Sequence, residues 1–356
     1  MDSYRIAALT TMLDDFENIL SKNFCQFANY EDFSFAKSRT TEALQDQFYQ
    51  FFDIHFQGDF RVKNWFQSNV LPRIYYPQQG SKFIHCFKIL NNISQCVLIQ
   101  NSFSLPERCR CIISPEGSCY LFGGFLPLIK SFLRNTFVLD EHRSSLVALQ
   151  LMKQGRADHG LHMHGDKIYV LGGMGFRTNE DGSEHASQVQ SLNSCEVYSV
   201  QDDKWEAMDS FEHARQQFSV CHFNEKFIFI FGGKKLKEGK AVAGGSQPFD
   251  FVKEVEVYEI EKKTWKTLNY IGEPQRLAVI SPGTAQIAGS QILIFGGLIP
   301  AEDQESDSST DFVDAGTKLT LTHQSLILDV TVGSIKHGPE LNTPSYFISG
   351  SYKLLH

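Results

Sequence analysis

The sequence lacks the features that define several large classes of protein. No apolar run approaches the ~20 residues of a membrane-spanning helix, and no basic stretch leads into an apolar segment near Met1. The net charge of −8 disfavours non-specific binding to DNA or RNA, because such binding needs a basic surface. We therefore expect no signal peptide, no membrane partner and no nucleic-acid partner.

Cysteine is present without any of the usual cysteine frameworks. The eight cysteines include no Cys-x-x-Cys pair, so neither a zinc ribbon nor a dense set of disulfides is predicted. A shared site of the histidines His159, His162 and His164 with Cys109 and Cys111 is conceivable, since the two cysteines match Ala157 and His159 of the next repeat, but no carboxylate or additional cysteine spacing supports a four-ligand site. We expect no metal, no cofactor and a reducing, cytoplasmic setting.

Motifs of common enzymes are also missing. The glycine-rich pieces are not followed by Gly-Lys-Ser/Thr, so they are not phosphate-binding loops. No Gly-x-Ser-x-Gly element is present to carry a nucleophile. The sequence therefore predicts a protein that is not an enzyme.

The sequence instead contains a repeat between residues 156 and 265. An arginine is followed after 16 or 17 residues by two glycines; from the second glycine, a tyrosine follows at 25 residues and a tryptophan at 32. The landmarks are Arg156, Gly172, Gly173, Tyr198 and Trp205 in one copy, and Arg215, Gly232, Gly233, Tyr258 and Trp265 in the next. A fixed period near ~50 residues is typical of a propeller blade.

Two weaker copies flank this stretch. Arg108 precedes Gly123 and Gly124, and Arg276 precedes Gly296 and Gly297, but neither copy has the tryptophan. Their third strands are predicted at 135–139 and 325–329 from apolar content alone.

Each repeat predicts four short strands. The run before each glycine pair is apolar, aromatic and β-branched, and the Glu-Val-Tyr segments alternate polar with apolar residues. At the two ends, 82–89 and 95–99 predict two strands, and 345–348 and 352–355 predict two more. Two half blades at opposite ends would complete one another and remove exposed sheet edges, giving five blades, possibly six, over 71–356.

These glycine, arginine, tyrosine and tryptophan positions resemble those of the kelch repeat family. The resemblance covers about 280 residues, 156–265 most strongly. It implies an all-β, kelch-type β-propeller of four-stranded blades in which the repeated residues are structural. It also implies a non-catalytic scaffold that binds partner proteins, of the cytoskeletal or ubiquitin-ligase type among others. The alternative from the same family is a propeller enzyme, similar to a copper oxidase or a sugar-processing enzyme, with its site at the channel mouth.

Residues 1–70 differ in kind from the rest. Ile6, Leu9, Leu13, Phe16 and Leu20 follow alternating spacings of three and four, which predicts an amphipathic helix, and a second helix is predicted at about 40–56. The apolar stripe can pack on the propeller or form a coiled coil with another chain, so a homo-oligomer remains open.

The candidate binding face consists of the long connections between second and third strands. These are 174–193, 234–251 and 298–317, and they share one side of the propeller because neighbouring strands of a blade are antiparallel. Binding residues often lie on loops held by a rigid frame. The acidic, serine-rich third connection is predicted to be mobile. The candidate binding residues are Phe176, Arg177, Lys234, Lys235 and Lys237.

Overall fold

The structure is a computed structural model that describes most of the predicted propeller. The described residues are 73–77, 82–88, 93–99, 104–114, 118–140, 143–178, 184–237, 247–272, 277–287, 289–301, 311–341 and 351–353. Within them the chain forms strands and contains no α-helix. The helical segment predicted over 1–70 lies outside the described residues.

Twenty strands of the described residues form five antiparallel sheets of four strands each. Sheet 1 contains β27 (Ser351–Lys353), β1 (Arg73–Pro77), β2 (Phe83–Lys88) and β3 (Ile93–Leu98). Sheet 2 contains β4 (Arg110–Ile113), β5 (Cys119–Phe122), β8 (Thr136–Asp140) and β9 (Ser145–Ala148). Sheet 3 contains β10 (Gly160–His164), β11 (Lys167–Thr178), β12 (Glu184–Ser199) and β13 (Lys204–Met208). Sheet 4 contains β14 (Ser219–Phe223), β15 (Phe227–Phe231), β18 (Glu256–Glu259) and β19 (Thr264–Thr267). Sheet 5 contains β20 (Gly283–Gln286), β21 (Gln291–Phe295), β25 (Ser325–Asp329) and β26 (Ser334–His337).

The sheets are arranged radially. The first strands contact one another in the order β27, β4, β10, β14 and β20, so they form the inner wall. Apolar side chains of neighbouring sheets pack face to face, as Phe229 and Phe231 of sheet 4 do against Ile292 and Leu328 of sheet 5. The core therefore lies in layers between the blades, which explains the apolar second strands.

Sheet 1 joins the two ends of the described chain in a way the sequence did not predict. Arg73 and Tyr75 of β1 align with Lys353 and Ser351 of β27, so the C-terminal part contributes one strand and the N-terminal part three. The sequence predicts two strands from each end, because the short segment of β1, which directly follows a proline, does not show a strand pattern. Residues 345–348, predicted as a further strand, lie outside the described residues.

The glycine pairs are required by close approach between blades. In sheet 3 the backbone of Gly172 and Gly173 has φ of 51° and 99°, and a Cβ on Gly172 would lie 2.6 Å from the ring of Phe211 and 3.0 Å from the carbonyl oxygen of Arg215, both in the link to sheet 4. The N–H of Gly173 donates to the carbonyl of Arg215, at the start of sheet 4, over 2.9 Å. Each pair thus turns the chain and links one blade to the next.

The long connections contain strands of their own. The hairpin of β11 and β12 extends beyond sheet 3 to Thr178 and Glu184. The additional strands are β6 (Phe125–Leu126) with β7 (Ser131–Phe132), β16 (Lys234–Leu236) with β17 (Phe249–Phe251), and β22 (Leu298–Pro300), β24 (Thr317–Leu321) and β23 (Asp311–Asp314). The candidate binding face is therefore built from hairpins, not from unstructured loops, over the part of the chain that is described.

Candidate interaction face

The hairpins rise from the same position in four sheets. Just beyond each glycine pair, the chain forms a two-way backbone bridge with the residue that leads into the first strand of its own sheet. The bridges are Glu107 with Phe125, Ala157 with Met174, Gln216 with Lys234, and Ile280 with Leu298. This repeated bridge fixes the direction in which every hairpin leaves the propeller. We call the side that carries these hairpins the interaction face.

Neighbouring hairpins are packed together through apolar side chains. The ring of Phe132 in the β6–β7 hairpin lies 4.9 Å from that of Phe176 in the β11–β12 hairpin, edge to face. Both side chains are buried, and Phe125, Met174 and Val189 pack against them. The first two hairpins therefore share a small apolar core above the blades.

A second contact joins the hairpins of sheets 3 and 4. The hydroxyl of Ser191 accepts from the backbone N–H of Leu236 over 3.0 Å and donates to the carbonyl of Lys234 over 3.4 Å. Because Ser191 is buried, these bonds are shielded from water.

A buried cation joins the hairpins of sheets 4 and 5. The ammonium of Lys234 forms an ion pair with Asp314 of β23 and lies 4.7 Å from the ring centroid of Phe249. Phe249 packs in turn with Ile280 and Leu319. The four hairpins thus form one continuous layer held by apolar, hydrogen-bonded and ionic contacts.

The structure separates the predicted binding residues into two groups. Phe176 and Lys234 are buried inside the hairpin layer and stabilise it. Arg177, Lys235 and Lys237 are exposed, and Lys237 forms an ion pair of 2.9 Å with Asp250 on the same hairpin. Only the exposed three can meet a partner directly. The sequence could not distinguish them, because strand alternation inside these connections was not recognised.

The repeated arginines belong to the architecture. Arg156 is fully buried, and its guanidinium donates to the carbonyls of Gly172 and Ser194 and to the carboxylate of Glu196, each over 2.8 Å. Glu196 also accepts from the backbone N–H of Lys153 over 2.7 Å. The arginine thus joins the end of the second strand, the start of the third and the link from the preceding blade.

Sheet 4 repeats this arrangement. Arg215 donates to the carbonyls of Gly232 and Glu254, and to Glu256 over 2.5 Å. Glu256 accepts from the N–H of Glu212 over 2.6 Å. Burial is the largest influence on Arg215 and lowers its pKa, while the neighbouring Glu256 opposes this shift. The first residue of each Glu-Val-Tyr segment is therefore the partner of the repeated arginine.

Sheets 2 and 5 replace both members of this ion pair. The repeated arginine stands directly before the bridging residue, which is followed by a residue with positive φ; in sheets 2 and 5 this position holds Pro106 and Val279. The strand registers place Phe137 and Leu326 at the glutamate position. Arg108 is therefore two residues beyond the position predicted for it. Val279, not Arg276, occupies the equivalent place in sheet 5, and Arg276 itself lies outside the described residues. Losing both partners avoids a buried charge without a counter-ion.

The tyrosine and tryptophan landmarks form a pair across two strands. Tyr198 is aligned with Trp205, and Tyr258 with Trp265, with ring centroids 5.1 Å apart in both. Trp205 donates through Nε1 to the carbonyl of Gln150 in the link from sheet 2, over 2.9 Å. The equivalent pairs are Leu139 with Leu146 in sheet 2, and Leu328 with Ile335 in sheet 5. The weaker copies thus keep the apolar contact and lose the hydrogen bond.

A cluster of polar side chains lies where the first strands begin, on the interaction face. Asp158 accepts ion pairs from Arg108 and Arg110, each at 3.5 Å, and Asp158 and Arg110 are buried. His159 is buried beside them, and burial together with the charges of Arg156 and Arg110 lowers the pKa of its imidazole well below the ordinary range. The imidazole is therefore neutral at pH 7. No local sequence pattern predicts the Asp158 cluster, because its members belong to different blades.

The predicted match of Cys109 and Cys111 with Ala157 and His159 is wrong by two residues. Cys109 is equivalent to His159 itself and Cys111 to Leu161, because the positive-φ residues Arg108 and Asp158 fix the alignment. Burial raises the pKa of the Cys109 thiol to about 12. Within the described ranges, no group of three or more Cys, His, Asp or Glu side chains could hold a metal ion. No helix among the described residues has the length and hydropathy of a membrane span.

Comparison with known proteins agrees with this geometry. The kelch motif family model matches residues 155–211, which contain all four strands of sheet 3. Kelch-like protein 41a of Danio rerio is 29% identical over 162 residues, or 46% of this chain and 24% of that protein. The chain therefore spans about a quarter of the length of this curated relative. The solved structure of YjhT, a kelch β-propeller, matches with a TM-score of 0.54 at 12% identity, covering 75% of this chain and 80% of that structure.

The radial four-stranded sheets and the likeness to YjhT define an all-β protein of the β-propeller class. At 12% identity the likeness to YjhT shows the fold alone. The motif match and the similarity to a Kelch-like protein confirm the resemblance to kelch-repeat proteins that the repeats indicate.

Proposed function

We propose that this chain is a non-catalytic protein-interaction scaffold that binds a partner protein on the interaction face. The observation that carries this proposal is the continuous hairpin layer, in which four hairpins are tied to one another above the blades. The blades have their own cores between the sheets, so the stability of the propeller does not require such a layer. Similarity to a Kelch-like protein supports partners that are proteins.

Two exposed basic residues allow this function to be tested. Arg177→Glu and Lys235→Glu change the charge of the interaction face without touching its buried contacts. Lys226→Glu is the matched control, because Lys226 is exposed in the turn between β14 and β15 on the opposite side. Partners recovered with the tagged full chain are compared by quantitative mass spectrometry. Loss of the same partners with both face variants, but not with the control, supports the proposal; equal recovery with all variants contradicts it.

We also propose that the chain forms a ring of five blades, closed by β1 and β27, and that it is located in the cytoplasm.

Homo-oligomerisation through residues 1–70 is tested by light scattering on the full chain with Leu13→Asp. A dimer that this substitution converts to a monomer supports the coiled-coil interpretation, whereas a monomeric wild-type chain contradicts it.

The second candidate is an enzyme with its site at the centre of the interaction face. The cluster of Arg108, Arg110, Asp158 and His159 favours it, because buried polar groups that converge on a channel mouth can bind a small substrate. Partner binding that survives His159→Phe but not Arg177→Glu would support the scaffold.

A further inference from the structure

The β6–β7 hairpin presents two large apolar side chains at its tip. Leu128 is 96% exposed and Ile129 is 64% exposed. They occupy a four-residue turn that is closed by the N–H of Lys130, which donates to the carbonyl of Pro127 over 3.2 Å. Turns of this kind favour glycine, asparagine, aspartate or serine. Neither leucine nor isoleucine is needed to form the turn, and neither contributes its surface to the core.

The tip is held in a defined position. Phe125 pairs with Phe132 and Leu126 with Ser131 below the turn. Phe132 is buried between Phe125 and Phe176, with ring centroids 4.9 Å from each. Because the hairpin is anchored in this way, the two side chains are presented before any partner arrives, and less conformational entropy is lost on binding.

The hairpin that carries the tip and the link beside it contain basic residues and no acidic ones; Glu107, which bridges Phe125 at the base of the hairpin, is acidic. Residues 125–135 and 149–156 contain no aspartate or glutamate, and the two segments are joined by Arg134, whose Nε donates to the carbonyl of Met152 over 2.6 Å. Lys130, Arg134 and Lys153 on these segments are all exposed. An exposed apolar pair with a basic surround matches an apolar surface with an acidic surround.

We propose that Leu128 and Ile129 anchor a partner protein by entering an apolar cleft whose rim carries aspartate or glutamate. This inference rests on the proposed function: it names the contact within the interaction face and the chemistry of the partner. A second copy of the chain matches poorly, because a two-fold contact would place the same basic segments against each other. A few residues near the centre of a contact commonly dominate its affinity.

The experiment places the photo-crosslinker benzoylphenylalanine in the full chain in cells, at one position per variant. The positions are 128 at the tip, 235 on another hairpin of the interaction face, and 332 on the opposite side. Val332 is the matched control, since it is 64% exposed and lies in the turn between β25 and β26. We expect position 128 to crosslink to an apolar cleft of a protein, with acidic residues beside the crosslinked site.

Binding to the crosslinked partner is then measured with purified proteins by calorimetry. Leu128→Asp should weaken binding at least tenfold and leave thermal unfolding unchanged, because the side chain is exposed. Lys130→Glu should weaken binding and reduce its dependence on salt concentration. Val332→Asp should bind as the wild type does.

Each other outcome overturns the proposal. No protein crosslink from position 128, a crosslink only to another copy or to lipid, or wild-type affinity for Leu128→Asp contradicts the anchor. If position 235 crosslinks in these cases, the proposed function stands without it. If only position 332 crosslinks to a partner, both the anchor and the interaction face are wrong.

Discussion

The buried pair of Arg215 and Glu256 gives the most direct test of how the repeat is stabilised. Sheet 5 carries Val279 and Leu326 at the equivalent positions, so the double substitution Arg215→Val and Glu256→Leu copies a solution that the same propeller already uses. We expect each single substitution to be strongly destabilising and the pair to be far less so than the sum. The expectation follows from burial, because both side chains are almost completely removed from water.

The magnitudes follow from the contacts. Two unit charges 2.5 Å apart attract by about 7 kcal/mol at an effective dielectric constant near 20. Arg215→Val removes this attraction and leaves the carboxylate with the N–H groups of Glu212 and His213, so we expect a loss of about 3–5 kcal/mol in the free energy of unfolding. Glu256→Leu strands the guanidinium and should cost a similar amount. The double variant should be at least about 2 kcal/mol more stable than the sum of the singles predicts.

The assay is a double-mutant cycle on the full chain, with urea unfolding followed by tryptophan fluorescence. The exposed pair of Lys167 and Glu206, at 3.5 Å, is the control, and its coupling energy should stay below about 1 kcal/mol. Additivity at Arg215 and Glu256 within about 0.5 kcal/mol would refute the reasoning, since it would mean that neither charge depends on the other.

Three further predictions concern other parts of the fold. Gly173→Ala should lower the free energy of unfolding by more than about 2 kcal/mol, because its Cβ would lie 2.5 Å from a carbonyl oxygen. Gly165→Ala is the control: this residue is also at positive φ but has open space around it, so the loss should be about 1 kcal/mol, and urea unfolding measures both. Burial lowers the folded-state pKa of His159, so the free energy of unfolding should be highest above about pH 6.5 and should fall as the pH decreases, by up to about 1.4 kcal/mol per pH unit. His159→Phe should reduce this pH dependence between pH 7 and pH 5, and an unchanged slope would contradict the prediction. Lys234→Met should leave Asp314 without its buried partner, and increased proteolysis of the β22–β24 hairpin, with no change at β9, is the expected result.

The repeat itself was readable from the sequence because its landmarks have local causes. Gly172 and Gly232 stand where the backbone turns into positive φ, and Tyr198 and Trp205 are close in sequence across one turn. Third strands in the weaker copies, Thr136–Asp140 and Ser325–Asp329, also follow from apolar content. Period and local pattern sufficed for these elements.

The errors arose where the partner is distant in sequence. The arginine position was misassigned at Arg108 and Arg276, because only the bridges Glu107–Phe125 and Ile280–Leu298 reveal the alignment. The mobility predicted for the acidic connection stays a prediction, because most of its acidic residues lie outside the described ranges; its end, Asp314, forms an ion pair with Lys234, 80 residues earlier. Composition describes a segment, but it does not show which surface covers it.

The sequence by itself determined the blade: four short strands, a glycine pair and an aromatic pair, all specified by residues within one repeat. Only the tertiary structure decided the interaction face. Whether Phe176 and Lys234 are buried while Leu128 and Ile129 are exposed depends on which hairpins stand side by side. That neighbourhood is set by the radial packing of the sheets, where residues from separate repeats meet, and no local pattern predicts it.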